Sequence, residues 1–374
     1  MEYNIPVTRS TMPSFEEYTE EIAELWETRW LTNSGTKHIE FESRLEAYLG
    51  VSHVSLFANG HLALESTFKA MGLEGKVITT PFTFASTVHA IVRAGLTPVF
   101  ADIKYDNYTI DPARIEELVD EDTCAIVPVH VYGNLCDVDA IQAIANRHGL
   151  KVIYDAAHAF GVRRDGVSAA SYGDASMFSF HATKVFNTIE GGAVSCDSMD
   201  LAEELALQKN FGIVNPETVQ CVGGNAKMNE FCAAMGLCNL RHLDDAISKR
   251  KAVADRYFEL LGDMRGLKLV MPPCNVDHNY AYLPVVFEDG FGSTRDQVFD
   301  VLALSGIHAR KYFYPLVSDF DCYCSEYDSA ATPIAACVAN RVLTLPLYSD
   351  LPIEMVDAIC GLVKGEAERS FVSN

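Results

Sequence analysis

Lys151-Val152-Ile153-Tyr154-Asp155-Ala156-Ala157-His158-Ala159-Phe160 is the stretch on which the reading of the fold turns. A short β-rich apolar run that ends on a carboxylate and passes straight into small residues reads as a strand buried on both faces. The same unit recurs upstream, each time followed by a helical stretch. Val54–Phe57 reads as a strand before a helix over His61–Met71, and Lys76–Thr79 as a strand before a helix over Ala85–Ala94. Thr97–Ala101 precedes a helix at Pro112–Val119, and Cys124–Val129 precedes one at Val138–Arg147. This alternation predicts an α/β fold with a mostly parallel central sheet covered by helices.

The alternation breaks after Asp155. Ser176–Phe180 and Gly192–Ser195 read as two further strands, but the eleven residues between them are too few for another crossover helix. Near the start, Ser14-Phe15-Glu16-Glu17 has the pattern of a capping box, and its helix is predicted to run to about Trp30. A long amphipathic helix from Ala246 opens a region of different rhythm, with a strand at Ala281–Phe287 and a helix at Thr294–Leu304. The chain is therefore predicted to divide near Asp245. Residues 1–245 form a large α/β domain with an N-terminal helical arm, and residues 246–374 a smaller C-terminal α+β domain.

Charge excludes whole classes of partner. The 374 residues include 51 acidic and 29 basic side chains, for a net charge of −22. Nucleic acid polymers and anionic membranes require a basic face, which so acidic a chain does not offer. A small anionic ligand remains compatible, because a few local donors hold phosphate against an unfavourable overall field. No apolar run reaches the length of a membrane span. The first residues have neither the basic region nor the apolar run of a signal peptide. The 11 cysteines show no C-x-x-C and no paired Cys/His spacing. They read as reduced core residues of a cytoplasmic protein, and no metal is expected.

Ligands of parallel α/β sheets bind beyond the carboxyl ends of the strands. Asn59-Gly60-His61, Thr83-Phe84, Asp155 with His158, and Ser179 with His181 and Lys184 all fall at such ends. Taken singly, each has a plainer reading: a turn at Asn59-Gly60, an N-cap at Asp155, a core ring at Phe84, a solvated lysine at Lys184. The set shifts the balance. A lysine beside Ser179, Thr183 and Gly191-Gly192 joins a carboxylate, an aromatic ring and a helix start that suits phosphate. These are the parts that pyridoxal phosphate requires. A lysine amine forms the Schiff base, a carboxylate keeps the pyridine nitrogen protonated, a ring stacks on the cofactor, and amides with hydroxyls hold its phosphate. There is no G-x-x-x-x-G-K-[ST] to suggest a different phosphate ligand.

The motifs extend well beyond this set. Tyr154–Ala159, Gly173-Asp174, Phe178-Ser179-Phe180-His181-Ala182-Thr183-Lys184 and Glu190-Gly191-Gly192-Ala193 follow one another in order. Pro81–Phe84, Pro128–Gly133, Asn210-Phe211-Gly212, Gly224–Met228 with Glu230, Tyr314-Pro315-Leu316 and Leu345-Pro346-Leu347 add to them. In these stretches the sequence resembles the DegT/DnrJ/EryC1/StrS family of nucleotide-sugar aminotransferases over nearly its whole length. The resemblance implies a type I pyridoxal-phosphate transferase fold and a homodimer whose active sites are shared between subunits. It implies that Lys184 carries the cofactor, Asp155 faces the pyridine nitrogen, Phe84 stacks on the ring and His158 sits near the ring hydroxyl. Gly60, His61 and Ser179 would hold the phosphate, with Asn225 reaching in from the partner. The amino group would pass from L-glutamate, by way of pyridoxamine phosphate, to a nucleotide-linked keto-sugar.

Three positions depart from the family pattern. Ala58-Asn59-Gly60-His61 stands where Asn-Ser-Gly-Thr is usual, so His61 is expected to contribute its backbone. Phe211 replaces a histidine, and Lys227 an arginine, whose bidentate fork a lysine cannot reproduce. Substrate contacts are expected from His181, Lys227, Tyr314, Arg310 and Lys311, with Arg9, Lys37 and His308 as further candidates for a diphosphate. The resemblance is greatest to enzymes that aminate dTDP-4-keto-6-deoxyglucose at C4. Amination at C3 is the near rival. A dehydratase of the same fold, in which histidine replaces the lysine, and a catalytically silent cofactor-binding regulator are more distant ones.

Overall fold

A computed structural model describes residues 4–372. Its N-terminal part carries helices α1 (Phe15–Thr28) and α2 (Thr36–Leu49). Ser14 caps α1 by accepting the Glu17 N–H, and the helix stops at Arg29, which is left-handed. Strand and helix then alternate. The order is β1 (His53–Phe57), α3 (Gly60–Ala70), β2 (Lys76–Thr79), α4 (Ala85–Arg93), β3 (Thr97–Phe100), α5 (Pro112–Leu118), β4 (Thr123–Ile126), α6 (Val138–His148) and β5 (Lys151–Asp155). The predicted strand Cys124–Val129 is shorter than expected because Pro128 has no N–H to give the ladder.

After β5 comes a short hairpin, β6 (Arg163–Arg164) and β7 (Val167–Ser168), followed by β8 (Ala175–Ser179), β9 (Gly192–Cys196) and α7 (Met199–Gln208). The large sheet has seven strands in the order β1-β9-β8-β5-β4-β2-β3. Only β9 runs against the rest, pairing antiparallel with both β8 and β1. Alternate residues of each strand serve opposite faces. Val77, Ala125, Ile153 and Met177 pack with α3, α4 and α7, whereas Ile78, Ile126, Val152 and Tyr154 pack with α5 and α6.

A second exposed hairpin, β10 (Ile213–Asn215) and β11 (Thr218–Val219), leads to α8 (Glu230–Arg241) and α9 (Leu243–Leu261). The long helix thus begins three residues before the predicted Ala246, directly after α8. Beyond it lie β12 (Leu267–Leu269), β13 (Val276–Asp277), β14 (Leu283–Phe287), α10 (Arg295–Leu304), α11 (Pro333–Arg341), β15 (Val342–Leu345) and α12 (Ile353–Val372). β12, β14 and β15 form a separate antiparallel sheet, and a core that includes Tyr257, Val285, Leu302 and Ile359 joins it to α9, α10 and α12. All eleven cysteines are unpaired. Among the described residues, no helix is long and apolar enough to cross a membrane.

Candidate active site

Register brings the motifs to one edge of the large sheet. Phe57 and Ser179 both pair with Gly192, and Asp155 lies one strand further on, opposite Met177. A cavity of about 510 Å³ opens there. Its floor and walls include Gly60, His61, Phe84, Asp155, His158 and Ser179. His181, Lys184 and Arg310 line it as well. Nine of the expected site residues therefore meet in one place.

Asp155 is 5% exposed. Its Oδ1 accepts the Ala157 N–H at 3.1 Å and its Oδ2 accepts the Thr87 hydroxyl at 2.7 Å. Burial raises its pKa, against the pull of those two bonds and of Lys184. Among the described residues it forms no ion pair, so a buried carboxylate faces the cavity without a bonded cation. Such a group is costly to bury alone. Lys184 mirrors it: burial brings its amine down to about 8, while Asp155 pulls the other way. Its Nζ stands 6.0 Å from the centre of the Tyr282 ring.

His158 accepts the Tyr132 N–H at Nδ1, 3.1 Å away. Burial, aided by Lys184, holds its pKa well below the usual value. The ring is therefore neutral, and its proton sits on Nε2. Phe313 stacks on it at 6.0 Å with the planes 5° apart. Phe84 is no core ring. It is 55% exposed at the start of α4 and lines the cavity.

The phosphate-type end is built by α3. Asn59 caps the helix by accepting the Leu62 N–H at 2.9 Å. The N–H groups of Gly60 and His61 come before the first helical hydrogen bond and have no acceptor within the helix. Gly60 lets α3 sit close to β8: a Cβ there would meet Ser179 Cβ at 3.0 Å.

Other expected residues lie apart from the cavity. Lys311 does not line the cavity; its charge is held by Asp296 at 2.5 Å. Tyr314 also lies outside, with the Arg295 guanidinium 4.8 Å from its ring centre. Asn225 and Lys227 sit nearby without entering. Ala226 accepts the Ala58 N–H, but Lys227 Nζ turns to Asn210 and Asn225 at 2.8 and 3.0 Å. Lys37 is buried against Glu21, and Arg9 pairs with Asp350 beside a different hollow. His61 does more than its backbone would, since its ring lines the cavity and lies 3.0 Å from the Ser86 hydroxyl. Sequence reasoning also missed Thr87, Ser86 and Tyr282. For Thr87 a signal existed: it lies one helical turn beyond Thr83, and the two hydroxyls are 2.8 Å apart.

A mostly parallel sheet with a desolvated lysine, a buried carboxylate and an open aromatic face at one edge is the architecture of the fold type I aminotransferases. A crystal structure of DesI in the presence of its TDP-sugar product superposes with a TM-score of 0.94 at 35% identity, covering 99% of this chain and 94% of that one. The chain belongs to the DegT/DnrJ/EryC1/StrS aminotransferase family, which residues 14–364 match; the family is pyridoxal-phosphate dependent. The dTDP-4-amino-4,6-dideoxy-D-glucose transaminase of Shigella dysenteriae is 41% identical over 97% of this chain and 99% of its own length. That of Escherichia coli is 42% identical over 97% and 98%.

Proposed function

We propose that this chain is a pyridoxal-phosphate-dependent transaminase that moves an amino group from L-glutamate to C4 of dTDP-4-keto-6-deoxy-D-glucose. 2-Oxoglutarate would leave before the sugar is aminated, in a ping-pong sequence. The observation that carries the reading is that Lys184 and the buried carboxylate of Asp155 line one cavity, and among the described residues neither forms an ion pair. The names of the two transaminase relatives support the choice of sugar and of C4.

The residues fit the cofactor. Asp155 is placed to hold a proton at the pyridine nitrogen, which is the cation its carboxylate lacks. Phe84 offers an open face to the ring, and His158 offers Nε2–H to a ring oxygen. Gly60, His61 and Ser179 would take the phosphate. Pyridoxal phosphate supplies, when bound, an electrophilic aldehyde and a cationic ring that accepts the electron pair left when a proton departs. Lys184 is suited to bond that aldehyde and then to shuttle the proton at the amine-bearing carbon, because an amine near 8 exchanges protons readily close to neutrality. His181 and Arg310 remain as substrate contacts, Arg310 for an anionic group. Lys227 acts by holding Asn225 in place.

Asn225, outside its own cavity, would serve that of a second subunit in a homodimer. Exposed Phe211, Val214, Val219 and Val222 around the β10–β11 hairpin suit such an interface. We place the large cofactor-binding domain at 1–245 and the small one at 246–374, in a cytoplasmic enzyme of deoxysugar supply for O-antigen or another glycan.

The test is optical and chemical. Purified protein should be yellow, fade with glutamate and recover its colour with the keto-sugar. NMR of the product should show nitrogen at C4. Unchanged colour with glutamate would defeat the transaminase reading, and nitrogen at C3 would defeat the regiochemistry. Gly192 gives a second test. A Cβ there would stand 2.6 Å from both Asn59 C and Gly60 N, so Gly192→Ala must push the turn away at a cost of roughly 1–3 kcal/mol. Cofactor retention through gel filtration is expected to fall about tenfold, an amount inside that range.

A further inference from the structure

Two helices, not one, present their starts to the phosphate end of the cavity. Ser86 is the second residue of α4, whose N-cap Phe84 supplies no side-chain acceptor. Its hydroxyl lies 3.0 Å from His61 Nδ1, and both side chains line the cavity. On the other side of the ring, Nε2 stands 3.9 Å from Glu65 Oε2. Glu65 is buried, which works to raise its pKa, but Lys69 at 2.7 Å and Arg93 at 3.0 Å outweigh this and lower it. It is a fixed carboxylate. The groups facing His61 are thus Ser86 and Arg93 with His89 from α4, and Glu65 with Lys69 from α3.

The direction of the His61–Ser86 bond matters. With Nδ1 bare, the Ser86 hydroxyl donates to the ring and turns lone pairs outward. With Nδ1 protonated, the ring donates to Ser86 Oγ, and the hydroxyl hydrogen is free for the cavity. An anion opposite Ser86 selects the second arrangement.

The geometry points to His61 as a positioning residue for the cofactor phosphate: its imidazole aims the Ser86 hydroxyl, so that α3 and α4 bind the phosphate through one hydrogen-bond chain. This rests on the cofactor reading above. It goes beyond it by giving the imidazole a task and adding Ser86 to the site.

A double-mutant cycle on the full-length enzyme tests it, read as the dissociation constant of pyridoxal phosphate by equilibrium dialysis. His61→Phe and Ser86→Ala are each expected to weaken binding about tenfold, or ~1.4 kcal/mol. The double variant should also lose about tenfold, because both changes break the same chain. His61→Asn, whose amide can donate from the Nδ1 position, should stay within about threefold of wild type, a difference under ~1.4 kcal/mol. Pyridoxal, which lacks the phosphate, should bind all four alike. Unchanged affinity in His61→Phe, losses that multiply to about a hundredfold, or equal weakening of pyridoxal would each overturn the inference. If wild type itself fails to bind the cofactor, the functional reading fails instead. If wild type binds and the variants match it, only the role of His61 is lost.

Discussion

Lys184→Ala is expected to fold and to lose turnover by a factor on the order of 10⁴, the upper range for one positioned proton-transfer group. The amine is desolvated and its pKa is brought down to about 8, so removing it relieves a buried charge and should not weaken the fold. On the proposed function, what disappears is the group that would bond the cofactor and move the proton. The variant should still bind the amino-sugar product, without releasing 2-oxoglutarate from glutamate. Stopped-flow absorbance with each substrate checks this, and turnover within tenfold of wild type would sink the assignment.

Asp155→Asn separates charge from shape. Asparagine keeps an oxygen for the Ala157 N–H and a polar partner for Thr87, so a residue that merely caps a turn would tolerate it. As an electrostatic partner it should not: kcat is expected to fall roughly 10²–10³-fold, the usual cost of removing a preorganised charge contact. Stability should move the other way. Burial raises the pKa of Asp155, so the folded chain holds this proton more tightly than the unfolded one. Stability of the cofactor-free enzyme is then lost as pH rises from the ordinary carboxylate range through the raised value. The variant lacks that slope and should resist urea better at neutral pH. Equal activity with an unchanged slope would return Asp155 to the role of a cap.

Much of this site was legible because strand ends are local facts. An apolar run that stops at Asp155 or Ser179 must stop at an edge of the sheet, and parallel order makes those edges coincide. Thr87 was less visible. It is an ordinary residue inside a helix until the sheet brings Asp155 within 2.7 Å of it. Lys311 and Tyr314 lie apart from the cavity for the converse reason. A motif shows that a cation or ring is present, and only the packed structure shows that Lys311 pairs with Asp296 and that the Arg295 guanidinium lies over the Tyr314 ring.

Helix α2 marks the boundary most clearly. Its N-cap is Gly35, with no side chain to announce a start. The acceptor for the Gly35 and Lys37 N–H groups is Glu230, at 2.9 and 2.8 Å, from the first turn of α8. No reading of residues 30–40 contains that carboxylate. The sequence by itself determined the alternation of strand and helix, the sheet edge at which the motifs meet, and the lysine and carboxylate that stand there. Each of these follows from periodicity or residue type within a few neighbours. The tertiary structure alone decided which charges remain free for a ligand, which hydroxyl supports Asp155, and where His61 points. Those depend on partners distant along the chain, and charge neutralisation and hydrogen bonding act through space.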